Sequence, residues 1–197
     1  MVDYKIILGG IASVIILLSC IPYFRDVFKG ATKPHIFSWF IWGLLGSVTY
    51  AAQIIKGAGA GAWANGVEAL ICFVIASLAI SRGEKNITLT DRLALGGAIL
   101  TLVLWVLTKN PLAAVILAVI VDGLAYFPTF RKVYYKPHEE TVVYFLLNTV
   151  SMILSLFALE AYNATTWLYP VYLVLINSAF ISMSLIRRKI IDSRRIV

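Results

Sequence analysis

The sequence predicts an all-α, polytopic membrane protein with seven transmembrane helices in a 3+1+3 parallel-repeat arrangement. Three observations lead there. The 197 residues are 60% hydrophobic and only 14% charged, outside the usual range of a water-soluble domain. Apolar windows long enough to span roughly 30 Å of hydrocarbon recur along the chain. A motif is also written twice: Pro22-Tyr23-Phe24-Arg25-Asp26-Val27-Phe28 returns as Pro128-Thr129-Phe130-Arg131-Lys132-Val133-Tyr134. Each copy is followed by Lys-Pro-His, at Lys33-Pro34-His35 and Lys136-Pro137-His138. Duplication on this scale fixes the organisation before any single residue is considered.

The predicted helices occupy 6–24, 35–55, 62–81, 93–108, 112–130, 141–159 and 166–186, the fourth being the shortest. The first ends in the repeated motif and has no small-residue cleavage site after it, which argues against a signal peptide. None shows the polar face that a helix of a soluble bundle would carry. The second and third are separated by Lys56-Gly57-Ala58-Gly59-Ala60-Gly61, which reads as a flexible turn, and the fourth and fifth by Lys109-Asn110-Pro111. Loops this short leave no room for an extra domain.

Basic residues orient the helices. Arg25, Lys29, Lys33, Arg82, Lys85, Arg92, Arg131, Lys132, Lys136, Arg187, Arg188, Lys189, Arg194 and Arg195 fall after the first, third, fifth and seventh segments. Only Lys5, Lys56 and Lys109 fall on the other side. Fourteen against three places the N-terminus outside and the C-terminus in the cytoplasm. The net charge of +7 follows from this topology, and the basic tail reads as a membrane-surface anchor rather than a nucleic-acid arm. Three helices reverse the chain and a fourth reverses it again, so the second triplet repeats the orientation of the first. Residues 1–82 form the first bundle, 83–110 the linker with its inversion helix, and 111–197 the second bundle with the tail.

In this layout the chain resembles a seven-helix member of the SWEET/PQ-loop transporter superfamily, where two triple-helix bundles are joined by one inversion helix. Pro22 and Pro128 match the proline of the family's Pro-Gln pair, and Lys33-Pro34 and Lys136-Pro137 stand where its later basic motif falls. Tyr23 and Thr129 replace the glutamine. The resemblance implies alternating access to a midplane site, and the same proline at the same motif position in both repeats makes Pro22 and Pro128 candidate gating hinges. A proline inside a helix also frees a carbonyl one turn back, so bending without gating is the alternative reading.

Candidate site residues are polar groups deep in apolar segments. Glu68, in the outer half of the third segment, and Asp122, midway through the fifth, are costly in hydrocarbon and suited to a wet cavity or a proton relay. The alternatives are an interfacial position for Glu68 and a structural hydrogen bond for Asp122. Glu68 shares a helix face with Asn65 and Cys72. The resemblance adds Asn177, forty-nine residues after Pro128, near the distance of the family's pocket asparagine; the same count from Pro22 falls at Ile71, beside Cys72. One polar stripe runs through Trp42, Gly46, Thr49 and Gln53, another through Asn148, Ser151 and Ser155, and both suit either a central path or close helix packing. Trp39, Trp63, Tyr144, Trp167 and Tyr169 lie near segment ends, as an interfacial aromatic belt would. His35 and His138 occupy matched places and read as a cap or interface residue in each repeat, with a paired proton sensor as the alternative.

Enzyme chemistry finds no motif. Cys20 and Cys72 imply neither a disulfide framework nor a zinc site, and no nucleophile elbow or phosphate-binding glycine loop is present. Asn86 and Asn163 each begin an Asn-x-Thr acceptor pattern, the first on the cytoplasmic side. The function expected is transport of a small polar, sugar-like solute through an integral, multi-pass membrane protein. Alternatives are a proton-coupled carrier of a cationic or amino-acid-like solute, or a receptor on the same fold. Expected partners are that solute, protons if transport is coupled, the lipid bilayer and, as an open alternative, further copies of the chain; no nucleic acid, metal or cofactor is expected.

Overall fold

A computed structural model describes residues 3–84 and 87–193, and Lys85, Asn86, Arg194 and Arg195 lie outside the described residues. Those described fold into seven α-helices: α1 (Tyr4–Phe28), α2 (Ile36–Ile55), α3 (Trp63–Arg82), α4 (Leu89–Thr108), α5 (Pro111–Tyr135), α6 (Val142–Phe157) and α7 (Ala164–Ser193). Six are long and apolar enough to cross a membrane. The exception is α6, not the expected fourth helix: its 16 residues span about 24 Å at 1.5 Å per residue. By contrast, α7 runs for 30 residues, through the basic segment expected to be a tail.

Capping follows local chemistry. Asp3 accepts from the Lys5 amide at 3.0 Å to start α1, and Asn110 accepts from the Ala113 amide at 3.2 Å, with Pro111 opening α5. His35 takes the capping role expected of it, its Nδ1 accepting weakly from the Ser38 amide at 3.4 Å. Orphan amides at a helix start need such partners wherever water is scarce.

Helix α3 packs between α1 and α2, while α7 packs between α5 and α6. Across the molecule α1 lies against α6 and α2 against α5, and α4 rests on α5 and α2. At the centre Trp39 meets Tyr23, Trp42 and Tyr144 edge-on, with ring centroids 5.0 to 5.1 Å apart. Each such pair contributes roughly 0.5–1.5 kcal/mol beyond area burial. Trp39, Tyr144 and Tyr169 are therefore interior residues, whereas Trp63 and Trp167 remain at the surface as a belt would require.

Both ends of the bundle are closed by loops from opposite halves of the chain. At one end the glycine-rich segment is a packed wedge rather than a flexible turn. Gly57 and Gly59 adopt φ of 76° and 58°, conformations that glycine takes without a Cβ penalty. The Glu160 amide donates to Ala58 O and the Ala161 amide to Gly57 O, both at 3.1 Å. A Cβ on Gly9 of α1 would lie 2.4 Å from Ala60 O.

At the other end, the Lys-Pro-His loops meet. Lys132 Nζ donates to Lys33 O at 2.7 Å and pairs with Glu140, both side chains being buried. Thr141 donates to Asp26 Oδ2 at 3.0 Å, and its hydroxyl stands 2.6 Å from that of Thr32. Asp26 and Lys132 occupy the same place in the two motif copies, and each reaches the loop that belongs to the other copy. Arg187 and Arg188 donate to Tyr134 O at 2.8 Å and Pro137 O at 2.9 Å. His138 sits 3.0 Å from Asp192 on the last turns of α7.

The tightness of the glycine end is testable with adjacent residues. Gly9→Ala should destabilise the purified protein by about 1–3 kcal/mol, because its Cβ meets backbone. Gly10→Ala, with nothing within 4 Å of its Cβ, should be neutral or slightly stabilising. Thermal melts that treat the two alike would contradict the closed contact.

Candidate functional site

Five of the candidate residues come together in one enclosed chamber. Asp122, Asn177, Glu68, Cys72 and Asn148 line it, with Trp39, Trp42, Gly46, Asn65, Tyr126 and Tyr169. The two inward stripes bring Trp42, Gly46 and Asn148 to its walls, and they turn Thr49, Gln53, Ser151 and Ser155 into the buried interior beside them. Pro22 and Pro128 stand apart from it, Pro128 beside a separate recess at the Lys-Pro-His end with His35 and Arg131. Free space in the chamber is about 10 Å³, at the threshold for one water molecule. The larger recess between Phe40, Phe73 and Leu95 is an open apolar groove on the outer surface, and the one at the Lys-Pro-His end is lined mainly by basic residues.

Asp122 is fully enclosed on α5, and α7 supplies its partners. Tyr169 donates to Oδ1 at 3.0 Å and Tyr172 to Oδ2 at 2.9 Å. Those tyrosines are three residues apart, so one face of α7 presents both hydroxyls to one carboxyl group. The interfacial reading of Tyr169 concealed this pair. A tyrosine at i and i+3 opposite a buried acid was the available signal, but only the fold shows that α7 faces α5.

A second chain of hydrogen bonds crosses four helices. Tyr126 of α5 donates to Asn177 Oδ1 of α7 at 2.5 Å, and Asn177 Nδ2 donates to Asn148 Oδ1 of α6 at 2.8 Å. Asn148 in turn donates to Glu68 Oε1 of α3. Glu68 is partly buried rather than interfacial, and its carboxyl group reaches the chamber. Alongside, Asn65 donates to Thr49 at 3.1 Å and to Gln53 Oε1 at 2.9 Å.

Gln53 performs a second task. Pro170, inside α7 and outside the repeated motif, leaves Thr166 O without its usual amide partner one turn on. Gln53 Nε2 donates to that carbonyl at 2.9 Å and ties α2 to α7. Near Pro128, Ser38 of α2 donates to Ala125 O of α5 at 2.8 Å. At Pro170 a side chain from a neighbouring helix thus satisfies the backbone group that the proline frees, as a bilayer interior requires.

No Lys, Arg or His lines the chamber among the described residues, although two carboxyl groups do. The chamber is therefore attractive to positive charge or to a donor-rich solute. Among the described residues no group of three metal-ligating side chains occurs. No family model matches the chain, and no curated protein or solved structure matches it.

The Asp122 cluster gives a measurable coupling. Tyr169→Phe should cost about 1–3 kcal/mol by stranding a buried carboxyl oxygen. In an Asp122→Ala background the same change should cost little, since the acceptor is gone. An equal cost in both backgrounds, read from thermal or denaturant melts, would mean that Tyr169 acts through packing alone.

Proposed function

We propose that this chain is an integral membrane carrier that moves a small polar solute by alternating access. In this reading, α1–α3 and α5–α7 are two like bundles of parallel orientation, joined by the inversion helix α4. The matched neighbours support it: α3 sits between α1 and α2 as α7 sits between α5 and α6. The fourteen-to-three charge bias supports an orientation with the Lys-Pro-His end in the cytoplasm and the N-terminus outside.

One observation carries the proposal. A polar chamber lies between the halves, and each of its ends is closed by a loop of one half bonded to the corresponding loop of the other. Such an arrangement is an occluded carrier state, in which separating either loop pair opens the chamber to one side of the membrane. A rigid structural bundle would have no need to keep two carboxyl groups and three asparagines at its centre. Sugar-like solutes are favoured by Asn177 and Asn148, cationic ones by Glu68 and Asp122. A receptor on this fold would bind without flux, so flux separates the two classes.

Reconstitution into sealed vesicles tests the carrier reading. A labelled sugar or amine should exchange across the membrane only when the protein is present. Asp122→Asn should impair exchange or abolish its dependence on a pH gradient. Pro22→Ala and Pro128→Ala, which restore a backbone bond, should slow exchange while the protein stays folded. Absence of flux for every solute that binds would leave a receptor.

A further inference from the structure

The two walls of the chamber differ in how well their carboxyl and amide groups are satisfied. On the side of α5, α6 and α7, the Asp122 oxygens and the side-chain oxygens of Asn148 and Asn177 all accept hydrogen bonds, and the Tyr144 hydroxyl is the group in the chamber lining there left without a partner among the described residues. On the α2–α3 wall, Trp42 Nε1, Asn65 Oδ1 and Glu68 Oε2 are buried and have no hydrogen-bond partner among the described residues. The Trp42 and Asn65 side chains are nearly sealed, with 7% and 1% of their surface exposed. Orphans of this kind are rare in native interiors and call for an explanation.

Their arrangement is compact. Asn65 and Glu68 are one turn apart on α3, and Trp42 stands one turn before Gly46 on α2. Gly46 faces Asn65, since a Cβ there would come within 3.8 Å of Asn65 Oδ1. The three orphans belong to residues that line the same chamber: two acceptors, one of them a carboxyl oxygen, and one donor. Trp42 also stacks obliquely on Tyr126, with ring centroids 4.6 Å apart, so aromatic faces flank the same place.

The complement of this set is a group with several N–H donors and positive charge, joined to a neutral acceptor. A carboxylate on the solute would meet Glu68 and Asp122 with no cation in the chamber to offset them. A polyol would supply hydroxyls but leave the carboxyl groups and aromatic faces without a charge to hold. We propose that the α2–α3 wall binds a compact protonated amino alcohol. Its ammonium donates to Glu68 Oε2 and Asn65 Oδ1, and its hydroxyl oxygen accepts from Trp42 Nε1. The inference rests on the carrier reading for one thing only: the walls must part to admit the solute, because the closed chamber has so little free space.

Calorimetry and thermal shift on the purified full chain test this with ethanolamine, ethylamine, glycine and glucose as probes. Ethanolamine should bind and stabilise the protein, and ethylamine, lacking the acceptor, should bind about tenfold more weakly. Glycine and glucose should give no shift. Glu68→Gln should weaken both amines by about tenfold or more. Trp42→Phe keeps an aromatic face and removes the N–H, so it should erase the preference for ethanolamine and leave ethylamine unchanged. If Glu68→Gln fails to fold, the Trp42→Phe comparison decides alone. Tighter binding of glycine or glucose than of ethanolamine, or equal weakening of both amines by Trp42→Phe, would overturn the site. Ethanolamine binding without exchange in vesicles would keep the site and remove the carrier. Sugar exchange without ethanolamine binding would do the reverse.

Discussion

Hydrocarbon offers no hydrogen bonds, so every polar group that the helices carry into the membrane must find its partner inside the bundle. This constraint explains contacts that look unrelated. Gln53 reaches across to the carbonyl beneath Pro170, and Ser38 to one near Pro128. Lys132 is buried with its ammonium between Glu140 and Lys33 O, an arrangement tolerable only because both partners are in place. Asp122 is held between two tyrosine hydroxyls. Each of these bonds ties one helix to another, so satisfying the polar groups and assembling the bundle are one process. Around the chamber the polar atoms of Trp42, Asn65, Glu68 and Tyr144 that lack a partner among the described residues stand out against that background.

The two closed ends use different chemistry. The glycine end closes by fit: Gly57 and Ala58 accept from the facing backbone, Gly59 and Gly61 leave room for the Glu160 and Leu159 side chains, and Gly9 lets α1 approach Ala60. The Lys-Pro-His end closes by charge and hydroxyl groups, through Asp26, Thr32, Thr141, Lys132 and Glu140. Equivalent motif positions carry opposite charge there, Asp26 in one copy and Lys132 in the other, so the duplication has diverged into complementary halves of one latch. Opening that end would place these groups in water, which compensates for the bonds lost. Opening the glycine end would expose backbone that water can likewise satisfy. Either opening is thus far less costly than exposing the same groups to lipid.

Much of this was legible in the sequence. Apolar length located the helices, and the duplicated motif marked corresponding helix ends. The spacing of Trp42, Gly46, Thr49 and Gln53 and of Asn148, Ser151 and Ser155 marked inward faces, because polar groups turn away from lipid at helical period. What escaped depends on contacts between distant segments. Nothing local distinguishes a packed glycine wedge from a flexible turn, since both need glycine and only Leu159 and Glu160 on the facing loop decide between them. Aromatic residues near helix ends suit an interface or a core equally, so Trp39 and Tyr144 were misplaced while Trp63 was not. Apolar composition extends beyond the last helical hydrogen bond, which is why α6 proved shorter than its hydrophobic window.

The central claim is that the paired loops are two gates that open in alternation around the chamber. Distance measurements between spin labels in vesicles address it directly. One pair would sit at Lys29 and Lys136 and the other at Lys56 and Tyr162, all exposed positions on the facing loops. The account predicts that each pair samples a short and a long distance, and that conditions lengthening one pair shorten the other. Pairs that lengthen together, or that keep one fixed distance whatever solute is added to either side, would contradict it.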